Sequence, residues 1–194
     1  IVATFMFIAL ATTGARNAFG VFVIPMEKEF DWNRTTVTAA GFIGAVVAGV
    51  IQPFLGRIFD ATGGRKIVIV GLVGVGVALV LLSLTFHIIF LVLMFGAFAS
   101  VAAGGVSINN TSAMLARWFR RRRATVMGIN AAGASLGGMV MVPFAMFLLQ
   151  ATNWRRTWVA VGLVILALAV PLAFFFIRES PGALSRGLGH SLMT

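Results

Sequence analysis

Gly56-Arg57-Ile58-Phe59-Asp60-Ala61-Thr62-Gly63-Gly64-Arg65-Lys66 gathers four charges and three glycines into eleven residues. The chain turns apolar on both sides of it, over about residues 35–55 before and 67–86 after. About 20 apolar residues in a row let a helix cross the roughly 30 Å hydrocarbon core of a bilayer. This stretch therefore reads as a polar connection between two membrane spans. Working outward adds four more apolar runs, over residues 1–26, 88–116, 124–149 and 157–177. The first is interrupted only by Arg16, and the fourth has a polar lower half. The runs on either side of His87 almost touch, which predicts a tight helical hairpin there. The expected fold is all-α: one bundle of six transmembrane helices covering residues 1–194.

Composition excludes the soluble classes. Of 194 residues, 60% are hydrophobic and 10% charged, against about 25% charged in an average soluble domain. Mean hydropathy is +1.03. The net charge of +10 does not point to nucleic acid, because a nucleic-acid binder needs its basic residues on a water-soluble face. Cysteine is absent, so disulfides, thiolate nucleophiles and cysteine-based zinc sites are excluded. The two histidines, His87 and His190, are far apart, and no metal-ligand or catalytic spacing occurs. Neither an enzyme nor a cofactor is expected. The first run is too long for a signal peptide and lacks a basic leader. The chain starts with Ile, which we read as a trimmed start or a numbering that begins inside a longer chain.

The basic residues supply an orientation. Ten of fifteen fall in one set of loops: Arg57, Arg65 and Lys66, then Arg117 and Arg120 to Arg123, then Arg178 and Arg186. Four fall on the opposite side, at Lys28, Arg34, Arg155 and Arg156, and Arg16 lies within a span. The positive-inside rule then places both termini in the cytoplasm of a multi-pass protein of the cell inner or plasma membrane. The run Arg120–Arg123 also suits anionic headgroups. Asn33-Arg34-Thr35 has the form of a glycosylation sequon, meaningful only in a eukaryotic secretory setting, and the favoured reading is Asn33, Thr35 or Thr36 as a helix N-cap.

An internal repeat is visible at an offset of 90 residues. Pro53-Phe54 matches Pro143-Phe144, and residues 60–66 match 150–156 at Ala61/Ala151, Thr62/Thr152 and Arg65/Arg155. Three spans separate the copies, so a three-helix unit occurs twice in opposite orientation. Inverted repeats of this kind are characteristic of secondary transporters.

The glycine-rich connection resembles the signature loop of the major facilitator superfamily, glycine–x–hydrophobic–x–Asp–x–x–Gly–x–Arg–Arg/Lys, in its expected place between the second and third spans. Ala61 stands where a basic residue is usual. Phe19-Gly20-Val21-Phe22 with Pro25 and Glu29-Phe30-Asp31-Trp32, and Ala116-Arg117-Trp118-Phe119 with Met127-Gly128-Ile129, resemble the monocarboxylate porter and oxalate–formate antiporter branch. The resemblance covers the whole chain and corresponds to the N-terminal half of a twelve-helix transporter. It implies a C-terminal six-helix half as partner. It also implies a gating role for the loop residues Gly56, Asp60, Gly63, Arg65 and Lys66, which would hold one conformer closed on the cytoplasmic side. Span four lacks Arg-x-x-Gln-Gly and span five lacks Gly-Pro, so symport, antiport and uniport stay open.

Arg16 is the prime candidate for a substrate site. A charge at the bilayer centre costs at least about 2.5–3.5 kcal/mol, and a guanidinium grips carboxylates bidentately. It reads as counter-charge to a small organic anion, or as a structural arginine capped by carbonyls or paired in the partner half. Thr12 and Thr13, one turn away, are candidate cavity residues. Asn109 and Asn110 in span four either line the pathway or bond neighbouring helices. Asn130, Gln52 and Ser135 invite the same two readings, and Asn130 is kept as a candidate site residue. No acidic residue lies deep in a span. A coupled proton or counter-anion would therefore draw on the partner half, His87 or the substrate itself. The expected function is alternating-access transport of a monocarboxylate-like anion across the lipid bilayer. The alternative is a non-transport membrane protein, an assembly factor or receptor, built on the same bundle.

Overall fold

The computed structural model describes residues 2–119 and 121–177, without the Asp60 side chain. Arg120, Arg178, Glu179, Arg186 and His190 lie outside the described residues. Six helices are long and apolar enough to cross a membrane: α1 Val2–Phe30, α2 Arg34–Thr62, α3 Gly64–Leu82, α4 Ile88–Trp118, α5 Arg123–Ala151 and α6 Trp154–Phe176. No strand occurs among the described residues. The six-span, all-α expectation holds for a physical reason. In hydrocarbon each backbone polar group needs an internal partner, and a helix provides one for every residue.

The helix ends extend past the apolar runs. α1 continues through Glu27, Lys28 and Glu29 to Phe30, where Asp31 turns the chain at φ 54°. α2 continues through Arg57 to Thr62, which puts Asp60 on a helix rather than in a loop. Apolar counting marks only the buried part of a helix, whereas backbone hydrogen bonding continues into the headgroup layer. α3 ends earlier, at Leu82, and residues 83–87 make the hairpin to α4. Asn33 stands at the N-cap of α2, but its side chain makes no capping bond. Its carbonyl instead accepts from the Thr36 and Val37 amides at 2.8 and 3.2 Å.

The reversal between α2 and α3 rests on a single residue. Gly63 has φ 90° and ψ 141°, backbone that side-chain-bearing residues avoid. Gly64 is needed for space instead, because a β-carbon there would come 2.5 Å from the Phe59 ring.

Packing follows the repeat. α1 runs along α5 and α2 runs along α4, which is the same pairing under exchange of the two three-helix units. α3 packs against both α4 and α6, and α6 returns to α1. The α1–α5 seam is made of backbone. A methyl at Gly133 would meet the Met6 carbonyl oxygen at 2.6 Å, and Gly14 and Gly137 are packed as tightly. Small residues at four-residue spacing bring membrane helices this close. The core between the helices includes Phe5, Ile8, Phe22, Leu72, Leu82 and Trp158, all fully buried. Trp158 stacks on Phe22 with 3.9 Å between ring centroids, and Phe19 stacks on Phe95 at the same distance.

Two repeat-related arginines bind α3 to α6. Arg65, at the start of α3, donates to the Phe174 carbonyl at 2.8 Å near the end of α6. Arg155, at the start of α6, donates to the Thr85 carbonyl at 3.3 Å just past the end of α3. Each helix thus begins with a guanidinium that neutralises orphan carbonyls at the other's C-terminal end. The sequence match of Arg65 with Arg155 has a matching structural role.

Candidate functional site

α1 and α4 occupy equivalent places in the two repeats, and both are irregular near mid-span. α1 passes through a single tight turn at Ala18. α4 breaks at Val106-Ser107, between helical pieces Ser100–Gly105 and Ile108–Trp118. The break is encoded locally. Gly104-Gly105 weakens the first piece, and the Ser107 hydroxyl caps the second by accepting from the Asn110 amide at 3.4 Å.

A cleft of about 570 Å³ opens at this depth between α1, α2, α4 and α5. Arg16 and Thr13 enter it from α1, Gln52 from α2, and Ser107, Ile108 and Asn109 from α4. Small residues such as Ala45, Ala48 and Ala134 leave the space open. Arg16 is fourteen residues from either end of α1, roughly 21 Å of helix. Its side chain is exposed to the cleft, and it has no ion-pair or hydrogen-bond partner among the described residues. It also borders a void of about 30 Å³ beside Ala15, Phe95 and Ser100, room for about one water.

The remaining cleft groups are neutral hydrogen-bonding groups. Gln52 Nε2 donates to Ser107 Oγ at 2.8 Å, which joins α2 to α4 across the cleft wall. The Ile108 and Asn109 amides begin a helical piece, so they have no acceptor within it. The partial positive end of that piece therefore faces the cleft. Among the described residues no acidic side chain lines the cleft. The cleft combines one guanidinium, a helix-dipole positive end and neutral donors in a mostly apolar wall. That combination gives the cleft a positive character.

The predicted site residues separate into two groups. Arg16, Thr12, Thr13 and Asn109 all line the cleft. The Thr12 hydroxyl is already committed, donating to the Ile8 carbonyl at 2.8 Å. Asn110 and Asn130 lie elsewhere, buried among the helices. Asn110 Nδ2 donates at 3.0 Å to the Gly104 carbonyl, which also accepts from the Ser107 amide at 3.3 Å across the α4 break. Asn130 Nδ2 donates to Thr111 Oγ1 and Ser112 Oγ, both at 3.0 Å, and so ties α5 to α4. Asn110 thus links the two pieces of α4, and Asn130 links α5 to α4. Ser135 bonds its own helix, at the Ala131 carbonyl.

The predicted gating residues are grouped at the end of the bundle where α2 meets α3, away from the cleft lining. Gly63 makes the turn and Arg65 holds the end of α6, while Gly56 is half-buried and Lys66 is exposed. At the opposite end the structure adds a cluster that sequence reading missed. Glu29 pairs with Arg155 at 2.9 Å and also accepts from the Trp154 indole. The Arg155 guanidinium lies 4.7 Å from the Trp154 ring centre, 5.5 Å from Phe86 and 5.8 Å from Phe30. The repeat match of Arg155 with Arg65 was the available signal for it.

Comparison with known proteins is consistent across sources. A family model described as Major Facilitator Superfamily matches residues 5–191. The chain is 23% identical over 93% of its length to the MFS-type transporter YcxA of Bacillus subtilis, covering 44% of that protein. It is 24% identical over 84% of its length to monocarboxylate transporter 14 of Homo sapiens, covering 32% of it. It is 28% identical over 91% of its length to the MFS-type transporter pynF of Aspergillus niger, covering 41% of it. The chain thus spans less than half of each of these relatives. Six apolar helices, a two-fold packing pattern and a match over nearly the whole chain lead to one assignment: the chain belongs to the Major Facilitator Superfamily, as an integral, multi-pass membrane protein.

Proposed function

We propose that this bundle is one half of a secondary active transporter that carries small organic anions of the monocarboxylate type by alternating access. The observation that carries the reading is Arg16, an unpaired guanidinium at the midpoint of a membrane helix, facing a cleft without acidic lining among the described residues. A substrate carboxylate would accept two parallel N–H bonds from Arg16. The Ile108 and Asn109 amides would add the field of a half-helix start, an arrangement transporters use for anionic groups. Gln52 and Ser107 would meet a second polar group, and the alanines of α2 and α4 would contact a short carbon chain.

The exposed apolar faces of α2 (Phe42, Val46, Val50, Phe54) and α5 (Met139, Val140, Phe147) suit contact with a second six-helix half. Rocking of the two halves would open the site to either side in turn. The α2–α3 connection, with Asp60 in the last turn of α2, would act in that motion as a gate, Gly63 setting its turn and Arg65 its anchor on α6. Deep carboxylates are absent from the six described spans, which favours coupling through the other half or through a counter-anion. Both termini are proposed to be cytoplasmic, on the charge asymmetry of the loops. Similarity to the human monocarboxylate transporter 14 supports the monocarboxylate reading of the substrate.

The test is uptake of a labelled short-chain monocarboxylate by the transporter that contains this chain, reconstituted in liposomes. Arg16→Ala is expected to lower uptake by about ten- to a hundredfold, the value of hydrogen bonds to a charged group. Full uptake by this variant would overturn the anchor role of Arg16.

A further inference from the structure

We propose an anionic phospholipid site on the outside of the bundle, between the start of α6 and the end of α3. A groove of about 430 Å³ there is bordered by Leu84, Arg155, Arg156, Val159, Ala160 and Leu163. It is separate from the central cleft, which none of these residues lines.

The pattern along α6 names the ligand. Arg156, Val159, Ala160 and Leu163 are spaced i, i+3, i+4 and i+7, so they form one stripe with a cation at its upper end. Leu163 lies about 10 Å further along the helix. α6 begins at Trp154, so Arg156 stands near headgroup depth and Leu163 within the hydrocarbon. Leu84 and Leu163 are each 52% exposed, which leaves an apolar track open to lipid.

Of the two arginines at the top of the groove, only Arg156 carries an uncompensated charge. Arg155 already spends its terminal nitrogens on Glu29 and the Thr85 carbonyl. Its Nε is buried and has no acceptor. Arg156 is exposed and has no partner among the described residues. It also sits at the positive end of the α6 dipole, where a cation is disfavoured. A phosphodiester would satisfy the Arg156 donors. Its acyl chain would occupy the track, which a free anion cannot use. The excess of guanidinium over carboxylate selects a net-anionic headgroup over a zwitterionic one.

The test is native mass spectrometry of the purified protein from micelles holding equimolar phosphatidylglycerol and phosphatidylcholine. Phosphatidylglycerol is expected to be retained preferentially. Arg156→Gln should lower that retention by about tenfold, the value of one charge-assisted hydrogen bond, and Arg156→Lys should keep most of it. Ala160→Trp fills the track at constant charge and should cause a similar loss. Leu163→Asn tests the lower end of the track without added bulk. Equal retention of the two lipids would overturn the proposal, as would unchanged retention in Arg156→Gln. Loss in Arg156→Gln with none in Ala160→Trp or Leu163→Asn would reduce the site to surface adsorption and also overturn it. Displacement of the lipid by millimolar inorganic phosphate would show a free-anion site instead.

Discussion

A single arginine in mid-span carries the proposed substrate chemistry, whereas most of the other fourteen basic residues lie at helix ends. The proposed grip is bidentate, and that can be tested apart from charge. Lysine keeps the charge of Arg16 but presents a point donor rather than a planar fork. Arg16→Lys is expected to raise the half-saturation concentration for uptake by about tenfold and to leave the maximal rate within about threefold. The concentration dependence of uptake measures both, and an unchanged half-saturation would count against a two-bond contact. Arg16 was legible in the sequence because a charge stands out against an apolar run. Asn109 and Asn110 were not separable there. They are neighbours in sequence but point about 100° apart on a helix, so one faces the cleft and the other caps the Gly104 carbonyl. Asn130 has the same residue type as Asn109 but lies within a helix–helix contact. Residue type alone carries no depth information.

At the scale of helices, the glycines that matter are those with backbone directly opposite. Gly133 lies against the Met6 carbonyl, and a β-carbon there meets it at 2.6 Å. Gly128, on the same helix, has nothing within 4 Å of an added β-carbon. Gly133→Val is therefore expected to force α1 from α5 and to cost about 1–3 kcal/mol. Gly128→Ala should be neutral or stabilising by up to about 1 kcal/mol, since alanine is the better helix former. Thermal melting of the detergent-solubilised protein compares the two directly. Equal melting temperatures for both variants would show that the seam is looser than its geometry indicates. The number and type of the six helices were legible because bilayer thickness fixes the length of an apolar run. Their ends were less so, since Glu27 to Glu29 and Arg57 to Thr62 continue helices outside the apolar layer. The α4 break carried its signal in Gly104-Gly105 followed by Ser107. That signal is hidden in a count of hydrophobic residues, because the broken helix is as apolar as an unbroken one.

At the scale of the whole molecule, the repeat places a cleft on either side of Arg16. One is the central cleft containing Thr13. The other, of about 630 Å³, includes Gly20 and lies between α1 and α5 toward the Arg155 end. Thr13 and Gly20 are seven residues apart on α1, one lining each cleft, with the tight turn at Ala18 between them. This makes them paired reporters for the proposed exchange between two open states. The chain has no cysteine, which keeps single-cysteine labelling of this half free of background. A β-carbon at Gly20 meets nothing within 4 Å, and Thr13 is half-buried beside the cleft, so both positions accept the replacement. In the transporter that contains this chain, the ratio of labelling at Thr13→Cys and Gly20→Cys should report which side is open. Adding Asp60→Asn removes the charge of the proposed gate. It should shift the ratio by roughly two- to fivefold toward Thr13→Cys, the span expected for a surface ion pair. Arg65→Gln, which loosens the hold on the Phe174 carbonyl, should shift it in the same direction. A ratio unmoved by both substitutions would reduce the loop to a topological anchor and leave alternating access to be gated elsewhere.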